Sequence, residues 1–179
     1  MSAAPEHAAV FEPHLPLSLL LTAAITGALA FLQVYSIQSV LPVLMLDLGI
    51  DAVTAGTTVG ATVVAGAGMA PGMGVVSDAL GRRGLIIASV FFLALPTAAM
   101  FWTYDIGQLR WLRFLQGLAV PGITMVLIAY IGEEFSGANR VRLMSFYVSG
   151  TVLGGFLGRF LMGYLDEWIG WRAGVLVMA

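Results

Sequence analysis

Five stretches of roughly twenty apolar residues, separated by short charged turns, constrain the fold of this 179-residue chain more than any other feature. An α-helix rises about 1.5 Å per residue, so some twenty residues cross the hydrocarbon of a bilayer. Inside lipid every backbone N–H and C=O must be satisfied within the structure, which for segments of this length means helices. The stretches run from about Leu17 to Leu46 (interrupted near Pro42), Thr54 to Val76, Leu85 to Tyr104, Leu109 to Ile131, and Leu143 to Leu165. A sixth begins near Trp171 and reaches Ala179, which is about 14 Å of helix and too short to span. The expected fold is all-α: five transmembrane helices and a truncated sixth over residues 16–179, preceded by a flexible tail over residues 1–15.

Composition supports lipid as the solvent. Hydrophobic residues make up 59% and charged residues 10% of the chain, against roughly 45–50% and 25% in soluble domains. Cysteine is absent, which removes disulfides, thiol catalysis and cysteine-held metal; His7 and His14 are the only histidines, and both lie in the tail. No Ser–His, His–Glu or Asp–Asp pair is available within the helices, so an enzyme is the weakest reading, and no cofactor or metal is expected. A net charge of −2 gives no reason to expect nucleic acid. The tail holds no Lys or Arg, and the run after it is too long for a signal peptide's apolar region.

The connections hold most of the charge. Arg82, Arg83, Arg140 and Arg142 fall at one end of the bundle, whereas Asp47, Asp51, Asp105, Asp166 and Glu167 fall at the other, with Arg110 and Arg172 nearby. Arginine marks the cytoplasmic side, so the N-terminus is expected inside. The second helix leaves as Gly74-Val-Val-Ser-Asp78-Ala-Leu-Gly81-Arg82, and the fifth as Gly163-Tyr-Leu-Asp166-Glu-Trp-Ile-Gly170-Trp-Arg172. Two similar exits three helices apart face opposite sides of the membrane, the pattern of a three-plus-three inverted repeat.

Three kinds of residue stand out within the helices. Small residues recur every four positions, at Gly56 and Gly60, at Gly66, Ala70 and Gly74, at Gly68 and Gly72, and at Gly150, Gly154 and Gly158; such stripes let helix backbones approach, whether for static packing or for sliding. Arg113 and Arg159 lie inside the fourth and fifth helices, where an arginine costs on the order of 2.5–3.5 kcal/mol. Arg113 reads as a pathway residue or as one reaching the interface, and Arg159 as a pathway residue or half of an ion pair. Arg113, Gln116, Gly117, Val120 and Thr124 share one helical face that should look into the bundle. On the first helix Thr22, Thr26 and Gln33 form one face, while Tyr35, Gln38 and Pro42 lie near the opposite one, for a cavity lining or interhelical hydrogen bonds. Pro42, Pro71, Pro96 and Pro121 bend their helices.

These motifs resemble the major facilitator superfamily. Gly74-Val-Val-Ser-Asp78-Ala-Leu-Gly81-Arg82-Arg83 is similar to that family's loop G-x-x-x-D-x-x-G-R-[RK], Arg113-Phe-Leu-Gln116-Gly117 to its fourth-helix R-x-x-Q-G, and Gly150-Thr-Val-Leu-Gly154-Gly155-Phe-Leu-Gly158-Arg159 to its antiporter motif G-x-x-x-G-P-x-x-G-G. Tyr35-Ser-Ile-Gln38-Ser-Val-Leu-Pro42 and Gly132-Glu133-Glu134 extend the likeness towards bacterial inner-membrane efflux permeases of the drug:proton antiporter branch. The resemblance implies the N-terminal half of a secondary transporter, with a missing C-terminal half, a small-molecule substrate and protons as the coupling ion. It implies a conformational switch at Gly74, Asp78, Gly81, Arg82 and Arg83, a cavity-facing Arg113 with Gln116 and Gly117, and a hinge at Gly150, Gly154, Gly155 and Gly158. Gln33, Tyr35, Gln38 and Arg159 complete the expected substrate or proton pathway. Two departures stand out: Gly155 replaces the motif's proline, and Arg159 its last glycine. Helices one, four and five also lack an embedded Asp or Glu, while two intramembrane arginines suit an anionic substrate. The alternatives on the same scaffold are an importer of sugars or organic anions and a non-transporting membrane fragment.

Overall fold

The computed structural model describes residues 15–179, so the tail expected over residues 1–15, with His7 and His14, falls almost wholly outside it. Among the described residues there is no strand. The elements are α1 (Leu17–Ser36), α2 (Leu41–Leu48), α3 (Ala52–Met69), α4 (Met73–Leu80), α5 (Arg82–Ala99), α6 (Ile106–Glu134) and α7 (Gly137–Met178). Together they make five spans long and apolar enough to cross a bilayer: α1 with α2, α3 with α4, α5, α6, and α7. Each span outruns its apolar stretch at one or both ends, because hydropathy marks the hydrocarbon whereas the helix persists into the interface.

Side-chain caps and glycines set the ends. Asp51 accepts a hydrogen bond from the Thr54 N–H at 2.8 Å and starts α3; Asp105 accepts from Gly107 (2.9 Å) and Gln108 (3.3 Å) and starts α6. Hydrogen bonding from the Thr54 side chain and backbone holds the Asp51 carboxyl below the usual carboxylate range. Gly81 (φ 77°) and Gly170 (φ 78°) take left-handed conformations that let one helix follow another at once. After Gly170 the chain doubles back. Gly174 comes against Met162 and Leu165, and Trp171, Val175 and Met178 pack with Ile37, Leu44 and Met162, so the sixth helix begins at Trp171 as expected.

The two most extensive contacts are α1 with α7 and α3 with α6, both between parallel helices. A repeat that exchanges the first three helices for the last three converts one of these contacts into the other. The exits obey the same exchange. Gly74, Asp78, Gly81 and Arg83 recur 89 residues later as Gly163, Glu167, Gly170 and Arg172, and both turn glycines share nearly the same φ, with ψ of 136° and 156°.

The α1–α7 contact explains the spacing of its glycines. Gly150, Gly154 and Gly158 lie against Ala24, Ala28 and Leu32, and a Cβ on Gly154 would sit 2.5 Å from the Ala28 Cα. In lipid such close backbone approach replaces the hydrophobic drive that joins helices in water. On the second helix a Cβ added at Gly56, Gly60, Gly68, Gly72 or Gly74 would meet nothing within 4 Å beyond its own helix among the described residues, and only one at Gly66 would approach a neighbour, the Gly117 carbonyl. Gly154→Ala should therefore destabilise the bundle by about 1–3 kcal/mol, while Gly60→Ala should be close to neutral, as read by thermal unfolding of both variants in detergent.

Candidate functional site

Helix one is broken within its apolar span, Leu17–Leu48. Between α1 and α2, residues 37–40 follow three-residue hydrogen bonds: Gln38 N–H to Tyr35 O (3.1 Å), Ser39 to Ser36 (3.4 Å) and Val40 to Ile37 (3.3 Å). Pro42, in the first turn of α2, has no N–H to continue the ladder. The change of pattern releases the Val34 carbonyl, and Arg113 takes it.

Arg113 is buried, with 1% of its surface exposed. Its Nη2 donates to Val34 O at 2.9 Å, its Nη1 to Gln116 Oε1 at 2.5 Å, and its Nε to Thr58 O at 3.4 Å. Gln116 Nε2 donates to the Thr97 hydroxyl at 2.5 Å. That hydroxyl has two acceptors for its one proton, Gln33 Oε1 at 2.9 Å and Leu93 O at 2.7 Å. Gln33 Nε2 in turn reaches Ala179 O at 3.3 Å. One network thus ties helices one, two, three, four and six. Gly117 makes the approach possible: a Cβ there would lie 2.7 Å from that of Ala65, and α3 comes close enough for the Thr62 hydroxyl to donate to Arg113 O at 3.0 Å. Among the described residues no buried side-chain N or O lacks a partner.

Arg159 forms a second cluster, on the other face of helix one. Its Nε and Nη2 both donate to Gln38 Oε1 (3.0 and 2.7 Å), its Nη1 donates to Gly155 O (3.1 Å), and its guanidinium lies 4.2 Å above the Tyr35 ring. Gly155 leaves room for that ring, since a Cβ there would stand 3.3 Å from it. No carboxylate pairs with Arg159 among the described residues, so its partner is an amide rather than the acid of an ion pair.

The expected pathway residues therefore divide into Gln33, Arg113, Gln116 and Gly117 on one side of helix one and Tyr35, Gln38 and Arg159 on the other, as the two faces of that helix foretold. Val120 and Thr124 stay on the Arg113 face, with the Thr124 hydroxyl turned back to Val120 O. Thr22 and Thr26 line a separate cleft of about 490 Å³ between α1, α5 and α6, with Arg82 and Arg83 at its mouth.

The loop after α4 does not close on itself. Arg82 forms its ion pair with Glu133 at the end of α6, while Asp78 is exposed and has no partner among the described residues. At the opposite end stands a site that sequence reasoning missed. Arg172 pairs with Asp47 at 2.7 Å, the Trp171 indole N–H donates to the same carboxylate at 3.1 Å, and Arg172 Nε donates to Thr103 O at 3.1 Å. Arg172 also stacks on Trp171 at 4.5 Å. The signal that finds it is the recurrence of the exit motif: each exit glycine is followed within two residues by an arginine paired to an acid at the end of helix one or helix four.

A bundle of apolar spans, with a broken helix clasped by a buried arginine and helices joined through glycine, is the architecture of a secondary transporter. Residues 23–179 match the profile described as Major Facilitator Superfamily, and the chain belongs to that family of membrane transporters. It is 30% identical over 155 residues to an uncharacterized transporter of Buchnera aphidicola, covering 85% of this chain and 37% of that protein. It is 30% identical over 133 residues to the chloramphenicol resistance protein CraA of Acinetobacter baumannii (74% and 32% covered) and 31% identical over 140 residues to the 4-hydroxybenzoate transporter PcaK of Pseudomonas aeruginosa (76% and 30%). The chain spans about a third of the length of these curated relatives.

Removing the clasp should unfold the site before it changes any chemistry. Arg113→Met strands the Val34 carbonyl and the Gln116 amide oxygen in a dry interior, where each unpartnered acceptor costs about 1–3 kcal/mol. The expected result is a clear loss of monodisperse protein in fluorescence-detected size exclusion, with Arg113→Lys intermediate.

Proposed function

We propose that the protein exports small molecules across a bacterial inner membrane against the inward flow of protons, with its N-terminus cytoplasmic. The observation that carries this reading is the break in helix one, clasped by Arg113. A helix interrupted at membrane depth has two arrangements open to it, continuous or kinked, and a single guanidinium on helix four biases between them. The glycine contact of α1 and α7 supplies a smooth surface on which the pair moves without unlocking side chains. Arg82, Arg83, Arg140 and Arg142 at the end where α1 begins favour that end as cytoplasmic. The name of CraA supports a drug-sized substrate, and that of PcaK supports an aromatic acid on the same scaffold.

Proton coupling needs a group that titrates in the cycle. The carboxylates of the described spans all lie at or near helix ends, so we assign the proton-carrying acid to the length of the relatives that this chain does not span. The chain's own part is the switch that such an acid would drive.

Everted membrane vesicles holding the complete transporter test this. Energised vesicles should accumulate chloramphenicol, a protonophore should abolish the accumulation, and Arg113→Lys should reduce the initial rate at least tenfold at equal protein level. Accumulation indifferent to the protonophore would remove proton coupling, and a normal rate in Arg113→Lys would remove the clasp from the mechanism.

A further inference from the structure

The two intramembrane arginines use the same number of N–H groups on protein acceptors and differ in what surrounds the rest. Arg113 is enclosed, its donors turned to Gln116, Val34 O and Thr58 O, and 1% exposed. Arg159 lies deep in α7, about ten residues from the turn at Gly170, yet it remains exposed at the surface of the bundle. A guanidinium has five N–H groups. Three of those on Arg159 are used, on Gln38 Oε1 and Gly155 O, which leaves one on each terminal nitrogen. That pair matches the two oxygens of a carboxylate.

The surroundings hold the group in place without neutralising it. Gln38, Gly155 O and the Tyr35 ring fix its plane, and all three are uncharged. Gln38 itself lies in the non-helical turn of residues 37–40. Non-helical backbone at membrane depth is tolerated only where protein buries it or water reaches it, and discontinuous helices are where transporters place their substrate sites. An oriented cation beside such a turn, backed by an aromatic ring and with no carboxylate on it among the described residues, is suited to receive an anion.

We propose that Arg159, held by Gln38 and Tyr35, is the anion-recognising group of the transport path, and that the substrates include small aromatic carboxylic acids. The carboxylate takes the two free N–H groups, and the substrate's ring lies along the apolar surface beside Tyr35. The proposal rests on the transport reading above and adds the substrate class. It separates the roles of the two arginines: Arg113 positions helix one, and Arg159 touches the cargo.

The test uses the complete transporter in energised everted vesicles, with radiolabelled chloramphenicol, benzoate and its neutral isostere benzamide as probes. The wild type is expected to move benzoate with a KM at least tenfold below that for benzamide. Arg159→Gln should collapse that ratio towards one, Arg159→Lys should keep most of it, and Gln38→Ala should lower it by loosening the guanidinium. Equal handling of benzoate and benzamide by the wild type, with chloramphenicol still moved, overturns this proposal and leaves the export reading standing. A benzoate preference that survives Arg159→Gln overturns it as well. Failure to move any of the three probes overturns both.

Discussion

The Val34 carbonyl is the pivot of this structure. A membrane gives a released backbone acceptor no water, so a helix breaks inside it only where something else supplies the hydrogen bond. Here that partner is Arg113, and the demand runs both ways. A buried guanidinium needs acceptors as much as the carbonyl needs a donor. The break at residues 37–40 and the cation on helix four satisfy each other, and Gln116 and Thr58 complete the shell. Glycine at position 117 follows from the same requirement, because α3 must come close enough for the Thr58 carbonyl to reach. Around the break the fold then sorts its polar residues. Those behind it are buried and hydrogen-bonded, whereas Gln38 is half-buried and Arg159 exposed.

Much of this was legible in the sequence, and the physical reasons are particular. The spans were legible because lipid enforces about twenty apolar residues per crossing. The stripe at Gly150, Gly154 and Gly158 was legible because its four-residue spacing has one common use in lipid. The similar stripe on the second helix shows the limit: spacing says that a face is smooth but not what lies against it, and among the described residues only Gly66 of that stripe comes near a neighbour, the Gly117 carbonyl. The separation of Gln33 from Gln38 followed from helical periodicity alone. Their partners did not. Thr97 is one small hydroxyl in an apolar helix, and nothing local connects it to Gln33, 64 residues away. The break was expected near Pro42 but lies just ahead of it, since the missing N–H of a proline disturbs the turn that precedes it. Arg159 was open to a pathway role or to an ion pair, and what it meets among the described residues is Gln38, whose one amide oxygen accepts two N–H groups and leaves the charge in place.

The repeat gives both ends of the bundle the same device and then makes them unequal. After each exit glycine an arginine crosses to the end of the first helix of the other triplet: Arg82 to Glu133 and Arg172 to Asp47. An exposed ion pair contributes little, a median near 0–1 kcal/mol. Arg82–Glu133 is of that kind, with Glu133 61% exposed. Asp47 is 36% exposed and accepts from the Trp171 indole as well as from Arg172, while Arg172 also donates to Thr103 O and stacks on an aromatic ring. Two of these contacts share one carboxylate and two more hold the same arginine, so that end is tied more firmly than the other. Two sequence-related turns are thus tied with different strength through the few side chains that differ between them.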